Sequence, residues 1–129
     1  MEWKINYLED IDVLSVVITG TITSAEIKKV SIELLEESKK RNVTRVFCDC
    51  RTVSLNISLP EVYYLPKTMK DLGVGHRHKV AIVYSVASSV ESFFTFFDDC
   101  SYNTGLNQKV FADYAAAYQW LLESAKRID

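Results

Sequence analysis

Asp49 and Arg51 form the charged pair whose residue types and spacing could carry chemistry in this chain. A carboxylate and a guanidinium two residues apart are residue types that a small enzyme could use at the rim of the sheet. They end a predicted strand, and ligands of open parallel sheets bind beyond the carboxyl ends of the strands. The sequence supplies no catalytic partner at that end. We therefore interpret the two side chains as bracing the following loop, by pairing with each other or with backbone. A small enzyme that uses this rim is the weaker alternative.

His76 and His78 flank Arg77 with a spacing that could suit a metal ion, but a third ligand is lacking nearby. They enter a predicted strand at its amino end, whereas Asp49 and Arg51 leave theirs at the carboxyl end. Strands of about six residues at roughly 3.3 Å each place the two groups about 20 Å apart. The pattern predicts solvated turn histidines, with no metal site and no shared His–Asp catalytic pair.

A stretch predicted to be helical holds four phenylalanines in five positions: Phe93, Phe94, Phe96 and Phe97. On a helix they cover most of the circumference. One face would fill the core, and another needs cover from the second helix, a partner chain or an apolar ligand. The expected neighbours of these rings are Tyr63, Tyr64, Met69 and Tyr102. This aromatic group is our candidate ligand- or partner-binding surface, and a wide helix buried in the core is the equal alternative.

Composition excludes several classes of function. The chain has 129 residues and a formal net charge of −2, which suits one domain and gives no basic patch for nucleic acid. No apolar run reaches membrane-spanning length, and the N-terminus lacks the apolar core of a signal peptide. We therefore expect no membrane span and a cytoplasmic protein. The glycine-rich phosphate-binding motifs and the serine nucleophile elbow do not occur, and no cofactor is predicted.

The three cysteines, Cys48, Cys50 and Cys100, are predicted to be small buried hydrophobes. An odd count without a secretory signal argues against a disulfide framework. The Cys-x-Cys spacing differs from that of a zinc ribbon, and catalytic partners for a thiol are missing.

Three Ser/Thr-x-x-Glu segments, beginning at Thr23, Ser58 and Ser88, stand before helical patterns. In such a capping box the hydroxyl accepts a hydrogen bond from the third helical amide, and the Glu reaches back to the N-cap amide. A β-branched apolar run ends shortly before each box. The chain therefore alternates strand and helix, which predicts an α/β domain.

The patterns predict five strands, over 2–7, 13–19, 43–50, 79–85 and 108–112. They predict helices over 24–41, from Ser58 to Gly73, over 89–103 and from Asp113 to about Lys126. The short polar turn after the first strand makes the first two strands an antiparallel hairpin. We expect Pro66 to kink or break the second helix near Tyr64, because it removes the hydrogen bond to the Val62 carbonyl.

Three stretches carry a resemblance to a known family: Val46-Phe47-Cys48-Asp49-Cys50-Arg51, Lys79-Val80-Ala81-Ile82-Val83, and Val110-Phe111-Ala112-Asp113 followed by Ala117-Tyr118-Gln119-Trp120-Leu121. In order and spacing they resemble the STAS-like superfamily, closest to a branch of small bacterial proteins described as STAS-like or as relatives of CRAL-TRIO lipid carriers. The resemblance covers nearly the whole chain. It implies one STAS-like domain with a mixed five-stranded sheet in the order β-β-α-β-α-β-α-β-α, with the first strand antiparallel and the others parallel.

Anti-sigma-factor antagonists of this superfamily carry a phosphorylated serine at the start of the second helix. The matching stretch here, Ile57-Ser58-Leu59-Pro60, has the serine and lacks the neighbouring acid and glycine. Ser58 is therefore a weak candidate phospho-acceptor, and a plain helix N-cap is the favoured role.

The resemblance and the missing catalytic set together predict a non-enzymatic binding or regulatory module that acts through protein contact. A carrier of a small apolar or lipid-like ligand is the alternative. Right-handed crossovers between sequential parallel strands place the helices on one face of the sheet. The opposite face is predicted to carry Ser15, Val17, Phe47, Ala81, Val83 and Phe111. We expect a homodimer that buries either that face or the phenylalanine helix.

Overall fold

The computed structural model describes residues 1–123, without the side chain of Ser88. Within that part the chain forms five strands, four α-helices and one short 3-10 helix over Val86–Ser88. The strands are β1 (Glu2–Leu8), β2 (Val13–Ile22), β3 (Arg45–Leu55), β4 (Lys79–Val83) and β5 (Gln108–Phe111). The helices are α1 (Ser24–Arg41), α2 (Leu59–Leu72), α3 (Glu91–Thr104) and α4 (Tyr114–Leu122). The predicted end of the last helix near Lys126 lies outside the described residues.

One sheet contains all five strands in the order β1-β2-β3-β4-β5. β1 pairs antiparallel with β2, from Glu2 opposite Thr19 to Leu8 opposite Val13, and the later pairs are parallel. The predicted fold class, a mixed sheet with an antiparallel first strand, is confirmed.

Two of the three predicted capping boxes act at helix starts. The Thr23 hydroxyl accepts from the Glu26 amide at the start of α1, and Ser58 forms the complete box with Glu61 at the start of α2. The third prediction is wrong. α3 begins at Glu91 after Val90, which offers no side-chain cap, and Ser89 takes a left-handed conformation with φ of 58°. A single turn of 3-10 helix intervenes because the chain must redirect between β4 and α3.

β2 and β3 continue further than the sequence predicts. β2 passes through Gly20, whose φ of 82° suits glycine, and β3 runs through the predicted loop to Leu55. A register shift between Val17 and Thr19 gives β3 one extra residue, after which pairing resumes up to Ile22 opposite Leu55. Because the extension alternates exposed and buried side chains, it satisfies the period of a strand although it contains few large hydrophobic residues.

The first face of the sheet packs against α1, α2 and α3. Its main core joins Leu14, Val16 and Cys48 of the strands to Val62 and Phe94 of the helices. Each of these three helices connects two parallel strands that are neighbours in the sheet, so the right-handed crossover rule places all three on the same side.

The second face is covered by α4, which corrects the expectation of a thinly covered face. Phe47, Ala81 and Val83 are fully buried there against Ala117 and Leu121 of α4. The crossover rule does not constrain α4, because no strand follows it within residues 1–123. It is therefore free to pack on the apolar face that the other helices leave uncovered.

α2 continues through Pro66 without a break, so a break at this position is excluded. Pro66 is buried on the core side together with Val62 and Leu65. Burial of the pyrrolidine ring and its neighbours offsets the lost hydrogen bond to Val62, whose usual cost is about 3 kcal/mol.

Phe47 anchors α4 to the sheet, and we expect Phe47→Ala to lower the free energy of unfolding by about 3–5 kcal/mol. Its ring stacks on Tyr118 with centroids 3.9 Å apart and meets Tyr114 edge-on at 5.1 Å. Val17→Ala is the matched control on the same face, where Val17 is 40% exposed, and should cost less than about 1 kcal/mol. Urea denaturation measures both, and equal losses would show that α4 does not depend on this contact.

Candidate functional site: an apolar cavity under three helices

A cavity of about 110 Å³ lies between the first face of the sheet and the helices α1, α2 and α3. The strands contribute Ile18, Val46 and Ile82 to its wall, and the helices contribute Val30, Leu65 and Phe97. Small side chains form part of the wall on both the helix side and the sheet side. Ser31 and Ser38 of α1 stand on one side, and Cys48 and Cys50 of β3 on the other.

The cavity wall carries no formal charge. No Asp, Glu, Lys or Arg occurs among its lining residues. Burial raises the pKa of the Cys48 thiol to about 12 and raises the pKa of Cys50 well above its usual value, so both stay protonated at neutral pH. All three cysteines are free and buried, as the sequence predicts. The cavity is therefore an apolar, electrically neutral environment.

His78 lines this cavity, so its prediction as a solvated turn histidine is wrong, whereas His76 is exposed as predicted. The His78 side chain is 6% exposed, and its Nδ1 accepts a hydrogen bond from the Gly75 amide at 2.9 Å. Burial, with the positive charge of Arg77, holds the pKa of His78 below its usual value. The imidazole is therefore neutral at neutral pH.

Gln108 at the start of β5 and Ser31 in α1 are two further polar residues of the wall. The Gln108 side-chain amide donates to the hydroxyl of the buried Ser101 at 2.8 Å. Sequence reasoning missed Gln108 and Ser31. A signal was available for His78, because it shares the two-residue alternation of Val80 and Ile82 and so lies on the inner face of the same strand.

The aromatic residues predicted to form one binding surface divide into two groups. Phe93, Phe94 and Phe97 line the cavity, and Phe96 packs partly buried against the same core. Met69 of α2 lines the cavity with these rings, as predicted, whereas the predicted tyrosines do not line it. Tyr63 and Tyr64 are each 60% exposed on α2, with their rings in edge-on contact at 5.1 Å.

Asp49 and Arg51 lie on the second face of the sheet, away from the cavity and within β3 rather than at its end. Arg51 donates to both carboxylate oxygens of Asp49, at 3.0 and 2.9 Å, and its guanidinium lies 4.4 Å from the Tyr114 ring centroid. Burial raises the pKa of Asp49, but the hydrogen bonds from Arg51 outweigh it and leave that pKa below its usual value. The side chains of Asp49 and Arg51 therefore bind each other, and Arg51 also contacts Tyr114 of α4.

Ser58 is exposed, and its hydroxyl is engaged at the start of α2. It donates to Glu61 Oε1 at 3.0 Å and accepts from the Glu61 amide at 3.4 Å. The second Glu61 oxygen accepts from the Ser24 hydroxyl at 2.6 Å, which ties the starts of α1 and α2 together.

Residues 1–123 contain no cluster of three or more side chains that could hold a metal ion. None of the helices within this range is long and apolar enough to cross a membrane.

Comparison with known proteins identifies a related fold. No protein-family model matches the sequence, and no curated protein matches it. The structure is similar to the crystal structure of an uncharacterized protein from the DUF3478 family, with a SpoIIAA-like fold, from Shewanella loihica PV-4. The two chains are 22% identical, with a TM-score of 0.51, and the match covers 93% of this chain and 92% of the other. The STAS-like resemblance is thereby confirmed for the architecture: this chain has a SpoIIAA-like fold.

Proposed function

We propose that this chain is a non-enzymatic binding module that holds a small apolar molecule in the cavity under α1, α2 and α3. The cavity itself is the observation that carries the proposal. Its volume of about 110 Å³ approaches that of apolar cavities of roughly 150 Å³ that bind benzene. Apolar side chains dominate its wall and no charge is present, so the wall favours an uncharged apolar guest.

The energetics of an unfilled cavity also favour the binding of a small molecule. Protein interiors are close-packed, and residual cavity volume costs about 24 cal/mol per Å³. While the space of about 110 Å³ is unfilled, the side chains around it lack dispersion partners on that side. A molecule that fills it restores the missing dispersion contacts, so binding and stability are coupled.

Asp49 and Arg51 serve the fold in this proposal rather than a reaction. Arg51 donates two side-chain hydrogen bonds to Asp49, and its guanidinium lies 4.4 Å from the Tyr114 ring centroid of α4. The pair stands on the face opposite the cavity, so it does not meet a molecule bound there.

Ser31→Leu tests the proposal by filling the cavity from within. Ser31 is 7% exposed in the cavity wall, and leucine favours a helix, so we expect the variant to gain about 0.5–2 kcal/mol of stability. Toluene, a ring-sized probe, should perturb amide signals of the cavity lining in the wild-type protein and leave them unchanged in the variant. Nuclear magnetic resonance titration measures both.

The matched control is Ile32→Leu, one residue further along α1, where the side chain is 43% exposed to solvent. It should bind toluene as the wild type does. Failure of the wild type to bind toluene, or full binding by Ser31→Leu, would contradict the cavity proposal.

A protein-contact module is the second candidate function, and the exposed face of α2 favours it. Leu59, Tyr63 and Tyr64 are each at least 60% exposed on this helix. The two surfaces that motivated a homodimer are instead covered in large part within one chain, by α4 and by the core, while Val17 stays 40% exposed. If this chain self-associates, the α2 face is the surface we propose for it.

Tyr63→Lys tests this contact, because a charge at the centre of a two-fold interface opposes its own copy. Sedimentation velocity at micromolar to millimolar concentration should show a dimer for the wild type and a monomer for the variant. Tyr102→Lys is the control, because Tyr102 is exposed on α3. If the wild type stays monomeric throughout this concentration range, the proposed self-association through α2 is ruled out.

A further inference from the structure

The segment between α2 and β4 forms part of the cavity wall, through Val74 and His78. It ends in a turn in which the His78 amide donates to the Gly75 carbonyl at 3.0 Å. The Gly75 amide donates in return to Nδ1 of the His78 imidazole at 2.9 Å. A backbone and a side-chain hydrogen bond thus join the same two residues, so the turn and the position of the ring depend on each other.

The hydrogen bond to the ring exists only while the His78 imidazole is neutral. Nδ1 accepts the Gly75 hydrogen because it carries no proton of its own, and the proton of the neutral ring resides on Nε2. A second proton must therefore bind at Nδ1, where it would face the hydrogen of the Gly75 amide. This hydrogen bond is lost as His78 becomes charged.

The surroundings of His78 do not stabilise a positive charge. The side chain is 6% exposed, and no Asp or Glu occurs among the residues that line the cavity. Burial, and after it the positive charge of Arg77, lower the pKa of His78 from its ordinary value of 6.5. The neighbouring Lys79 directs its amine to the Trp120 carbonyl of α4. A charged His78 ring would gain no counter-ion in the wall, so it recovers its hydration by leaving the wall.

The backbone around the turn can move without displacing α2 or β4. Residues 73–78 belong to no helix or strand. Gly73 ends α2 in a left-handed conformation with φ of 117°, and Gly75 follows two residues later. Glycine adopts both signs of φ readily, so rotations at these two positions can turn the His78 ring outward.

We propose that the turn from Gly75 to His78 is a pH-controlled gate of the cavity, which retains the bound molecule while His78 is neutral and releases it when His78 is protonated. In the open state the ring and the turn leave the wall, and water reaches the apolar cavity. This inference rests on the proposed function of the cavity and adds the regulation of that site.

The sign of the pH effect follows from the state that binds the proton more readily. In the open state the His78 ring meets water and has an ordinary pKa of about 6.5, whereas the pKa in the closed state is lower. Below about pH 6.5 the open state takes up the proton first, so the closed state becomes less favourable relative to it. Acidification therefore opens the gate, and neutral pH closes it.

Other ionisable groups near the turn have to be separated from His78. The thiols of Cys48 and Cys50 line the same wall and stay protonated, because burial raises their pKa values. His76 is exposed in the same turn, and Asp98 of α3 borders a surface cleft together with it. Burial raises the pKa of Asp98 and brings it closer to that of His78. His76→Asn and Asp98→Asn are therefore the controls.

Toluene binding at about pH 7.5 and about pH 5 tests the gate, because the closed state is favoured at the first and opposed at the second. Nuclear magnetic resonance titration of the wild type should show binding at least about threefold weaker at the lower pH. The Gly75 amide signal should move between the two values while the signals of α4 stay in place, which separates local opening from acid unfolding.

His78→Asn keeps an acceptor oxygen at the position of Nδ1 and does not take up a proton in this range. Its affinity for toluene should be equal at the two pH values, and the two control variants should keep the loss seen in the wild type.

Equal toluene affinity of the wild type at both pH values would overturn the gate and leave the proposed function standing. The same loss in His78→Asn as in the wild type would also overturn the gate. Toluene binding at neither pH would overturn both proposals. If His78→Asn does not fold, the wild type decides, and a Gly75 amide signal that stays in place would overturn the gate.

Discussion

The central strands β3 and β4 carry buried apolar side chains on both faces, and helices of the same chain shield both faces from water. β3 shows the constraint most clearly, because Phe47 on one side and Val46, Cys48 and Cys50 on the other are all buried. Connections between parallel neighbours supply three helices to one side only. α4 resolves the imbalance from the end of the described chain, where no further strand dictates its side. The position of Asp49, Arg51 and the α4 tyrosines follows from that placement.

Much of this architecture was predictable from local patterns. α1 was predicted with its observed bounds because Thr23 begins it with a capping hydrogen bond and Asn42 ends it in a left-handed conformation. The order of strands and helices was likewise predictable. The side taken by α4 was not, because tertiary burial decides it and the crossover rule does not apply. The end of β3 was missed as well, since the extension carries Thr and Ser on its exposed side and pairs with β2 only after a register shift.

The candidate site was partly predictable. The phenylalanine helix was singled out, and three of its rings line the cavity. The cavity itself exists because small side chains on elements far apart in sequence, notably Ser31 on α1 and Cys48 on β3, leave space between the helices and the sheet. No local sequence pattern predicts such a shortage of side-chain volume. His78 was misjudged because the turn before it suggested solvent, whereas its place in the β4 alternation turns the ring inward. The Gly75 amide then holds the ring in one tautomer.

The cavity also bears on how the molecule responds to compression. Unfolding releases internal voids to solvent, so a fold that contains one occupies a larger volume than its unfolded chain with its hydration water. Expressed per mole, a void of about 110 Å³ is of the same order as the entire volume change of unfolding in ordinary domains, roughly 20–100 mL/mol. Hydrostatic pressure should thus act on this protein first at the cavity between the sheet and α1, α2 and α3, and only later on the α4 side, where the rings are stacked and Phe47 is fully buried.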